Sequence, residues 1–243
     1  DIRIGARFDD YEQKLVNRRA NSVSKYSEKQ VSPQLGIVYK TSDRLSFYAA
    51  YGENFRPLSG ATDQNGLDPN LSKSTEVGIK FTMNDGALAG TLAIFDVEQS
   101  NIATFDANFN PTAVGAASSQ GVELDLTGNL TDTLSMWLSY AYVDAETEND
   151  YTDFISFGFI PAGSPLLNVA EHQLSVQMVQ RTQLAGRALD LIGGLIYVDE
   201  RSGQFGDPSF ELPSYTTVRV AANLEVSESL EVRLEVNNLF DEE

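Results

Sequence analysis

Residues 217–236 of the chain read TVRVAANLEVSESLEVRLEV. Apolar and polar residues alternate on both sides of a short polar segment at 227–229. Successive side chains of a β-strand point to opposite faces, so a period of two predicts two strands, each with one apolar face, joined by a tight turn. This hairpin decides which secondary structure we expect elsewhere in the chain.

The same alternation recurs along the whole chain and predicts eleven strands. They centre on residues 2–8, 35–39, 45–51, 77–81, 88–97, 122–126, 134–142, 174–178, 188–198, 218–224 and 230–236. The faces of the strand at 88–97 are not separated by the pattern. Since no segment of comparable length has a helical period, we expect an all-β chain.

The connections between the predicted strands alternate between long and short. The long ones are 13–30, 53–72, 99–117, 146–170 and 200–213, and the short ones are 41–43, 84–86, 129–132, 182–186 and 227–229. In an up-and-down meander, alternate connections lie at opposite ends of the strands. This asymmetry predicts an antiparallel transmembrane β-barrel with short periplasmic turns and long extracellular loops, located in the outer membrane of a Gram-negative bacterium.

The two faces of the strands differ in chemistry. Charges of both signs occupy mid-strand positions on the polar face, which suits a wet lumen; they are Arg3, Arg7, Lys80, Glu123, Asp125, Arg219 and Arg233. Aromatic residues near strand ends suggest belts at the lipid headgroups; they are Phe8, Tyr11, Tyr51, Tyr140, Tyr142, Tyr197 and Tyr215 towards the long loops, and Tyr39 and Phe81 towards the short turns.

Composition excludes several functions. The 243 residues include 35 acidic and 17 basic side chains, and this net charge of −18 argues against a nucleic-acid partner. There is no cysteine, and the single histidine, His172, is expected to make a hydrogen bond at an interface or in the lumen. Glu123 and Asp125 share a strand face, where we expect an ion-pair ladder with neighbouring arginines. We therefore predict no enzyme, no catalytic or metal-binding residues and no resident cofactor.

Eleven antiparallel strands cannot close without one parallel seam, whereas bacterial single-chain barrels have an even strand number. An unclosed sheet would present two bare edges to lipid. We therefore expect residues 1–243 to be part of a longer barrel. The chain has no recognisable signal peptide and begins with a strand, which agrees with this expectation.

Five segments together resemble the TonB-dependent outer-membrane receptors, in the branch that takes up ferric siderophores. The segment 236–241 (VNNLFD) resembles the signature before the last strand of that family. The other four segments follow the family's order along the chain: 51–57 (YGENFRP), 67–80 with its P-x-x-S-x-x-x-E-x-G-x-K pattern, 120–125 (QGVELD), and 201–203 (RSG) with 212–215 (LPSY). The resemblance covers the chain from about residue 45 to its C-terminus.

The resemblance implies a 22-stranded barrel filled by a plug domain, of which this chain would supply strands 11 to 21. It also implies active transport of a ferric siderophore, energised through TonB by way of the N-terminal plug region. The plug, the TonB-contact motif and the closing strand are absent from the chain. The siderophore would be the transported ligand, and outer-membrane lipid and lipopolysaccharide would surround the barrel.

Aromatic and basic residues on the long connections are the candidate ligand contacts, because binding residues favour loops. Aromatic rings can pack on the apolar backbone of a siderophore, and the Arg56 guanidinium can grip its oxygen atoms bidentately. The candidates are Arg56, Phe105, Tyr151, Phe154, Phe157 and Phe205, followed by Phe109, Phe159 and Phe210. Loop clamping, a place at the lipid boundary or, for Arg56, a local salt bridge are the alternatives.

The connection 13–30 is rich in basic residues. It contains Lys14, Arg18, Arg19, Lys25 and Lys29. Such a segment can attract an anionic ferric complex or the phosphates of lipopolysaccharide, or it can be a solvated loop without a specific partner.

Two other functions fit parts of the pattern. A passive outer-membrane porin has the same two-faced strands, but it needs no plug and conducts ions steadily. A soluble all-β adhesin has alternating strands too, but it buries its apolar faces in a core. The presence of a plug upstream and the need for detergent separate these alternatives.

Overall fold

In the computed structural model, the described residues form one antiparallel sheet of eleven strands and two small hairpins. The structure describes residues 1–19, 21–57, 67–106, 108–153, 158–205 and 209–242. The strands are β1 (Ile2–Asn17), β2 (Ser22–Ser42), β3 (Leu45–Arg56), β4 (Asn70–Met83), β5 (Leu88–Phe105), β6 (Pro111–Asn129), β7 (Leu134–Thr147), β8 (Tyr151–Asp153), β9 (Gly158–Ile160), β10 (His172–Leu184), β11 (Arg187–Val198), β12 (Arg201–Ser202), β13 (Glu211–Leu212), β14 (Tyr215–Ser227) and β15 (Leu230–Val236).

The strand order confirms the predicted meander. In the large sheet it is β1-β2-β3-β4-β5-β6-β7-β10-β11-β14-β15, so each strand pairs with its neighbours in the chain once the hairpins β8–β9 and β12–β13 are set aside. Among the described residues, no helix combines the length and the apolar character needed to span a membrane.

One face of the sheet is apolar from its first strand to its last. The register pairs Ile2 with Ile37, and the same row passes through Val77 and Ile94 to Val122. At the other end of the sheet, Ala222 pairs with Leu234. These side chains are exposed, with Ile4 at 80% and Leu234 at 71%. A sheet that shows apolar side chains on the outside is the arrangement of a lipid-facing wall.

The register also shows which residues of β5 and β11 lie on each face of the sheet. In β5, Leu92 and Ile94 lie on the apolar face, whereas Phe95 lies on the polar one. Ile192 and Ile196 of β11 lie on the polar face, because their partners in β14 are Ala221 and Thr217. This face is therefore mixed at β11.

The expected aromatic belt is partly wrong. Tyr51, Tyr140, Tyr142 and Tyr197 belong to the apolar face, as a lipid belt requires. Tyr11 pairs with Glu28, and Tyr215 pairs with Val198. These two positions lie on the polar face because they are an odd number of residues away from the apolar rows, so Tyr11 and Tyr215 are not belt residues.

The short turns lie together at one end of the sheet. The β4–β5 turn is a single 3-10 turn, Asn84–Gly86. Its three residues have positive φ angles of 50°, 53° and 93°. Asn, Asp and Gly tolerate this left-handed conformation best, which explains why they occupy a turn this tight.

The predicted bounds of the basic loop, 13–30, are wrong. β1 continues to Asn17 and β2 starts at Ser22, so a connection of four residues replaces the long loop. The alternation of apolar residues stops near Phe8, but cross-strand pairing continues, supported by an edge-to-face contact between Tyr11 and Tyr26. The connection 99–117 shortens in the same way, because β5 reaches Phe105 and β6 begins at Pro111.

Gly78 lies beneath an aromatic ring on the polar face. The ring of Tyr48 crosses it, and the Tyr48 hydroxyl donates a hydrogen bond to Glu76. The ammonium group of Lys80 lies 5.2 Å from the centroid of the same ring. The missing side chain at Gly78 leaves space for the ring, so this group of residues packs the polar face locally.

The expected ion-pair ladder of Glu123 and Asp125 is wrong. No described ion pair contains either residue, because Glu123 faces Ala93 and Ala141 across the strands. A ladder exists instead at β14 and β15. There Glu235 lies 2.6 Å from Arg233 and 3.6 Å from Arg219.

Gly78→Ala should destabilise the barrel. A methyl group at this position would lie 2.6 Å from the carbonyl oxygen of Leu92 and 2.7 Å from the Tyr48 ring. Overpacking of this kind costs about 1–3 kcal/mol, which should lower the urea midpoint of the full-length protein in detergent. Gly193→Ala is the matched control, because no atom lies within 4 Å of the added methyl group. Equal midpoints for the two variants would contradict the packing described here.

Candidate functional site

The connection between β7 and β10 folds back onto the end of β7. The Thr147 hydroxyl donates a 2.8 Å hydrogen bond to the carbonyl of Pro161 and accepts a 3.1 Å bond from the backbone N–H of Ser164. The backbone of Thr147 pairs with the same segment, at 3.0 Å to Ser164 and 2.7 Å from Gly163. Thr147 is 2% exposed. The segment 161–166 is thus held against the sheet.

Asparagine and aspartate side chains hold the start of this connection. The carboxylate of Asp150 accepts a 2.8 Å hydrogen bond from the backbone N–H of Ala162. The side-chain oxygen of Asn149 accepts a bond of the same length from the backbone of Ala116 in β6. These contacts tie the connection both to itself and to the neighbouring strand.

The hairpin β8–β9 within this connection contacts the end of β5. Thr104, which is 4% exposed, has its hydroxyl 3.0 Å from a carboxylate oxygen of Asp153 and 3.3 Å from the carbonyl of Thr152. Tyr151 pairs with Ile160 and is half-buried. Burial, and then the nearby carboxylate of Asp153, raise the pKa of the Tyr151 hydroxyl.

The connection between β11 and β14 forms the second wall. Its short strands β12 and β13 pair, and the Phe210 ring lies over Gly203, where an added methyl group would lie 2.6 Å from the ring. Backbone pairing joins the two connections directly, because Ala170 bridges to Arg201. The N–H of Asn168 also donates a 2.9 Å hydrogen bond to the Ser202 carbonyl.

Arg201 lies at the junction of the two connections. One Nη atom donates a 3.0 Å hydrogen bond to the side chain of Asn168, and the guanidinium carbon lies 5.6 Å from the centroid of the Tyr215 ring. The Nε atom is buried and has no hydrogen-bond partner among the described residues. A buried donor of this kind can bind an acceptor atom of a ligand.

A cavity of about 520 Å³ lies between the two connections. Four carboxylates and one guanidinium line it, so the net charge of the lining is negative. Phe205 is the aromatic residue of the lining. The lining residues are Pro161, Ala162, Gly163, Ser164, Pro165, Val169, Glu171, Asp199, Glu200, Arg201, Ser202, Gln204, Phe205 and Glu211.

The predicted ligand contacts do not all meet at this cavity. Phe205 lines it, whereas Tyr151 lies in β8. Arg56 is exposed at the end of β3, and Phe105 is half-buried at the end of β5. Phe154 and Phe157 lie outside the described residues. Among the secondary candidates, Phe109, Phe159 and Phe210 are more than half exposed.

The β5–β6 turn beside Phe105 is ordered by Asp106. Its carboxylate accepts 2.8 Å hydrogen bonds from the backbone N–H groups of Asn108 and Asn110, and a 3.0 Å bond from the Asn110 side chain. The Asn110 contacts and then the Asn108 backbone contact lower the pKa of the Asp106 carboxyl. The ionised form is therefore the one that orders this turn.

His172 makes a side-chain hydrogen bond as expected, but on the apolar face and not in the lumen. Its Nδ1 atom is 2.9 Å from the Tyr140 hydroxyl, and its ring lies 5.1 Å from the Tyr142 ring. Within the part of the chain that the structure describes, no group of three or more His, Cys, Asp or Glu side chains is arranged to hold a metal ion.

Sequence reasoning missed Thr147, Asn168 and Arg201 as site residues. Each acts through a partner distant in the chain, 14 residues for Thr147 with Pro161 and 33 for Arg201 with Asn168. The segment containing Arg201 was singled out by its motif, but a motif does not show which side chain it meets. Burial of a threonine at the end of an extended strand leaves no periodic signal.

Thr147→Val should loosen the segment 161–166 while preserving side-chain volume. It removes the bond to Pro161 and takes one acceptor from the half-buried N–H of Ser164, whose other acceptor is the Pro161 carbonyl at 3.3 Å. A loss of about 1–3 kcal/mol should accelerate amide exchange in the segment roughly fivefold to hundredfold. Hydrogen–deuterium exchange of the full-length protein measures this, with Thr182→Val on an exposed strand position as control. Unchanged exchange at 161–166 would show that the Thr147 hydroxyl does not hold this segment against the sheet.

Comparison with known proteins identifies the relatives of the chain. The family model "TonB dependent receptor-like, beta-barrel" matches residues 1–239. The metal-pseudopaline receptor CntO of Pseudomonas aeruginosa (strain UCBPP-PA14) is 34% identical over 250 residues, covering 98% of this chain and 34% of that protein. The ferrichrome outer membrane transporter/phage receptor of Escherichia coli (strain K12) is 29% identical over 253 residues, covering 100% and 32%.

Solved structures show the same fold. The siderophore receptor PiuA from Acinetobacter baumannii superposes with a TM-score of 0.83 at 24% identity, covering 99% of this chain and 36% of that one. The ferripyoverdine receptor of Pseudomonas aeruginosa superposes with a TM-score of 0.74 at 21% identity, covering 98% and 32%. The chain spans about a third of the length of the curated relatives it matches.

The sheet matches a portion of the 22-stranded receptor barrel. In transmembrane barrels of this kind, the polar face of the wall lines the lumen. Members of this family are outer-membrane transport proteins of Gram-negative bacteria and not enzymes, which agrees with the outer-membrane location expected from the sequence. The match of the family model over residues 1–239 therefore shows that the chain belongs to the TonB-dependent receptor family, as part of its outer-membrane β-barrel.

Proposed function

We propose that the chain forms part of the wall and extracellular mouth of a receptor that actively imports a ferric siderophore. In this proposal, residues 1–243 supply barrel strands, and the remaining strands and a plug domain come from the rest of the receptor. The observation that carries the proposal is the cavity between two connections that pair with each other at the long-loop end of the sheet. A cavity between connections that pair with each other is suited to capturing a ligand, whereas free diffusion requires no such cavity.

Tight binding of the ligand at the extracellular cavity favours active transport over passive diffusion. A scarce ligand requires tight capture outside, and tight capture makes release inside slow unless work is supplied. A plug prevents leakage through a wide barrel, and TonB would supply the work through that plug. Two relatives of the chain, a metal-pseudopaline receptor and a ferrichrome transporter, support a metal-loaded organic chelator as the ligand class.

Six residues remain our proposed ligand contacts. The aromatic side chains would pack against apolar parts of the chelator, and Arg56 would bind its oxygen atoms. Arg201 joins them, because its buried Nε donor borders the cavity that Phe205 also lines. The six residues predicted from the sequence are Arg56, Phe105, Tyr151, Phe154, Phe157 and Phe205.

Uptake of radioactive iron by cells that produce the full-length receptor should depend on TonB. We expect accumulation of the iron–siderophore complex in cells with TonB and surface binding without accumulation in cells that lack it. Purified receptor in a planar bilayer should show no steady ion conductance, because a plugged lumen blocks ions. Steady conductance together with TonB-independent accumulation would instead identify a passive porin and refute the proposal.

Replacing the aromatic contacts should weaken siderophore binding. Phe205→Ala and the double substitution Tyr151→Ala with Phe157→Ala each remove apolar contact area, and we expect roughly tenfold weaker binding or more for each. Binding is measured by titrating the full-length receptor with ferric siderophore. Tyr39→Ala, an exposed aromatic position near the opposite end of the sheet, is the control. Unchanged affinity with normal barrel assembly would remove these residues from the site.

A further inference from the structure

The two connections that enclose the cavity contain a single basic residue. The connection 148–171 has four acidic side chains and no lysine or arginine, and the connection 199–214 has four acidic side chains and one arginine, Arg201. Eight carboxylates and one guanidinium give the two connections together a net charge of −7. A concave surface lined by charges of one sign concentrates the electric field and attracts ions of the opposite sign.

The carboxylates that line the cavity have no cationic partner in the described part of the chain. They belong to Glu171, Asp199, Glu200 and Glu211, and no described ion pair contains any of them. The Asp199 carboxylate accepts 3.0 Å hydrogen bonds from the Tyr197 hydroxyl and from the backbone N–H of Glu200, which are both uncharged donors. The cavity therefore presents negative charge that a bound ligand can neutralise.

The guanidinium of Arg201 does not neutralise this lining, because uncharged groups hold it. One Nη atom donates to the Asn168 side chain, and the guanidinium lies over the ring of Tyr215. No described ion pair contains Arg201, and its buried Nε atom has no hydrogen-bond partner among the described residues. Arg201 thus offers a ligand one donor, whereas the four carboxylates offer only acceptors.

The size of the cavity and the rest of its lining suit an organic complex rather than a bare metal ion. Its volume of about 520 Å³ lies within the roughly 300–1,000 Å³ that is usual for small-molecule sites. Pro161, Pro165, Val169 and Phe205 supply apolar surface. Among the residues that the structure describes, no three carboxylate or imidazole groups are arranged to hold a metal ion. The carboxylates can therefore attract a complex through its charge without binding its metal directly.

We propose that these carboxylates set the charge specificity of the cavity, so that it admits a cationic metal chelate and rejects a polyanionic one. Ammonium or other N–H groups of the chelator would donate charge-assisted hydrogen bonds to Glu171, Glu200 and Glu211, and one acceptor atom would bind the Arg201 Nε. Repulsion between like charges would exclude anionic complexes of the same size. This inference rests on the proposed function, in which the cavity is a ligand site of the receptor.

Two chromium(III) complexes of similar size and opposite charge test the inference. The tris(ethylenediamine) complex is a cationic chelate with N–H donors, and the tris(oxalate) complex is an anionic one. A nitroxide spin label is attached to the full-length receptor at A162C, an exposed lining position, and each complex shortens its relaxation time when bound nearby. We expect the cationic complex to give a saturable effect, at roughly tenfold lower concentration than the anionic complex requires or less.

Removing the carboxylates should abolish this preference. In the labelled background, E171Q/E200Q/E211Q should bind the cationic complex about tenfold more weakly or worse, because it loses three of the four lining charges. The variant E225Q/E228Q/E231Q is the matched control, since it removes the same charge at the short-turn end of β14 and β15. All six side chains are exposed, so neither variant should impair barrel assembly. The control should bind as the wild type does.

Three results would overturn the inference. They are equal effects of the two complexes on the wild type, an equal loss of binding in the control variant, and full displacement of the cationic complex by calcium chloride at matched ionic strength. The last result would identify a calcium site instead. These measurements use purified receptor and need no TonB, so a lost charge preference with intact TonB-dependent uptake refutes this inference alone. TonB-independent accumulation refutes the transport proposal whatever the charge preference.

Discussion

The structure depends on satisfying backbone hydrogen bonds in a medium without water. Within hydrocarbon, an unpaired peptide group is costly, so each strand must pair along its whole crossing. Pairing alone does not specify a register, but a slip by one residue would move every side chain of a strand to the other face. Because an apolar row runs unbroken from Ile2 through Val77 to Val122, the register that satisfies the backbone also puts aliphatic side chains towards lipid.

Backbone pairing continues beyond the membrane and determines the shape of the mouth. β10 begins at His172, but the segment that precedes it already pairs with β7, through the N–H of Val143 and the carbonyl of Glu171. The backbone bridge between Ala170 and Arg201 then joins this segment to the connection between β11 and β14. The cavity walls are therefore extensions of the sheet, and their order comes from the same interaction that builds the barrel.

Much of the fold could be predicted because period-two alternation is a local property. Strand positions, the short-turn end and the apolar rows all follow from neighbouring residues. The hairpin at 13–30 was predicted as a loop because, beyond Phe8, neither face is apolar, and cross-strand pairing in water leaves no alternation to detect. The cavity was not predictable for another reason. Thr147 meets Pro161, and Arg201 meets Asn168, only through contacts between residues distant in sequence.

Electrostatics restricts the class of ligand that the cavity can bind. The cavity lining combines Glu171, Asp199, Glu200 and Glu211 with a single guanidinium, that of Arg201. Such a lining repels a polyanionic complex and favours a chelator that carries cationic groups or presents one anionic group to Arg201. The acidic excess of the whole chain, a net charge of −18, therefore extends to the lining of this cavity.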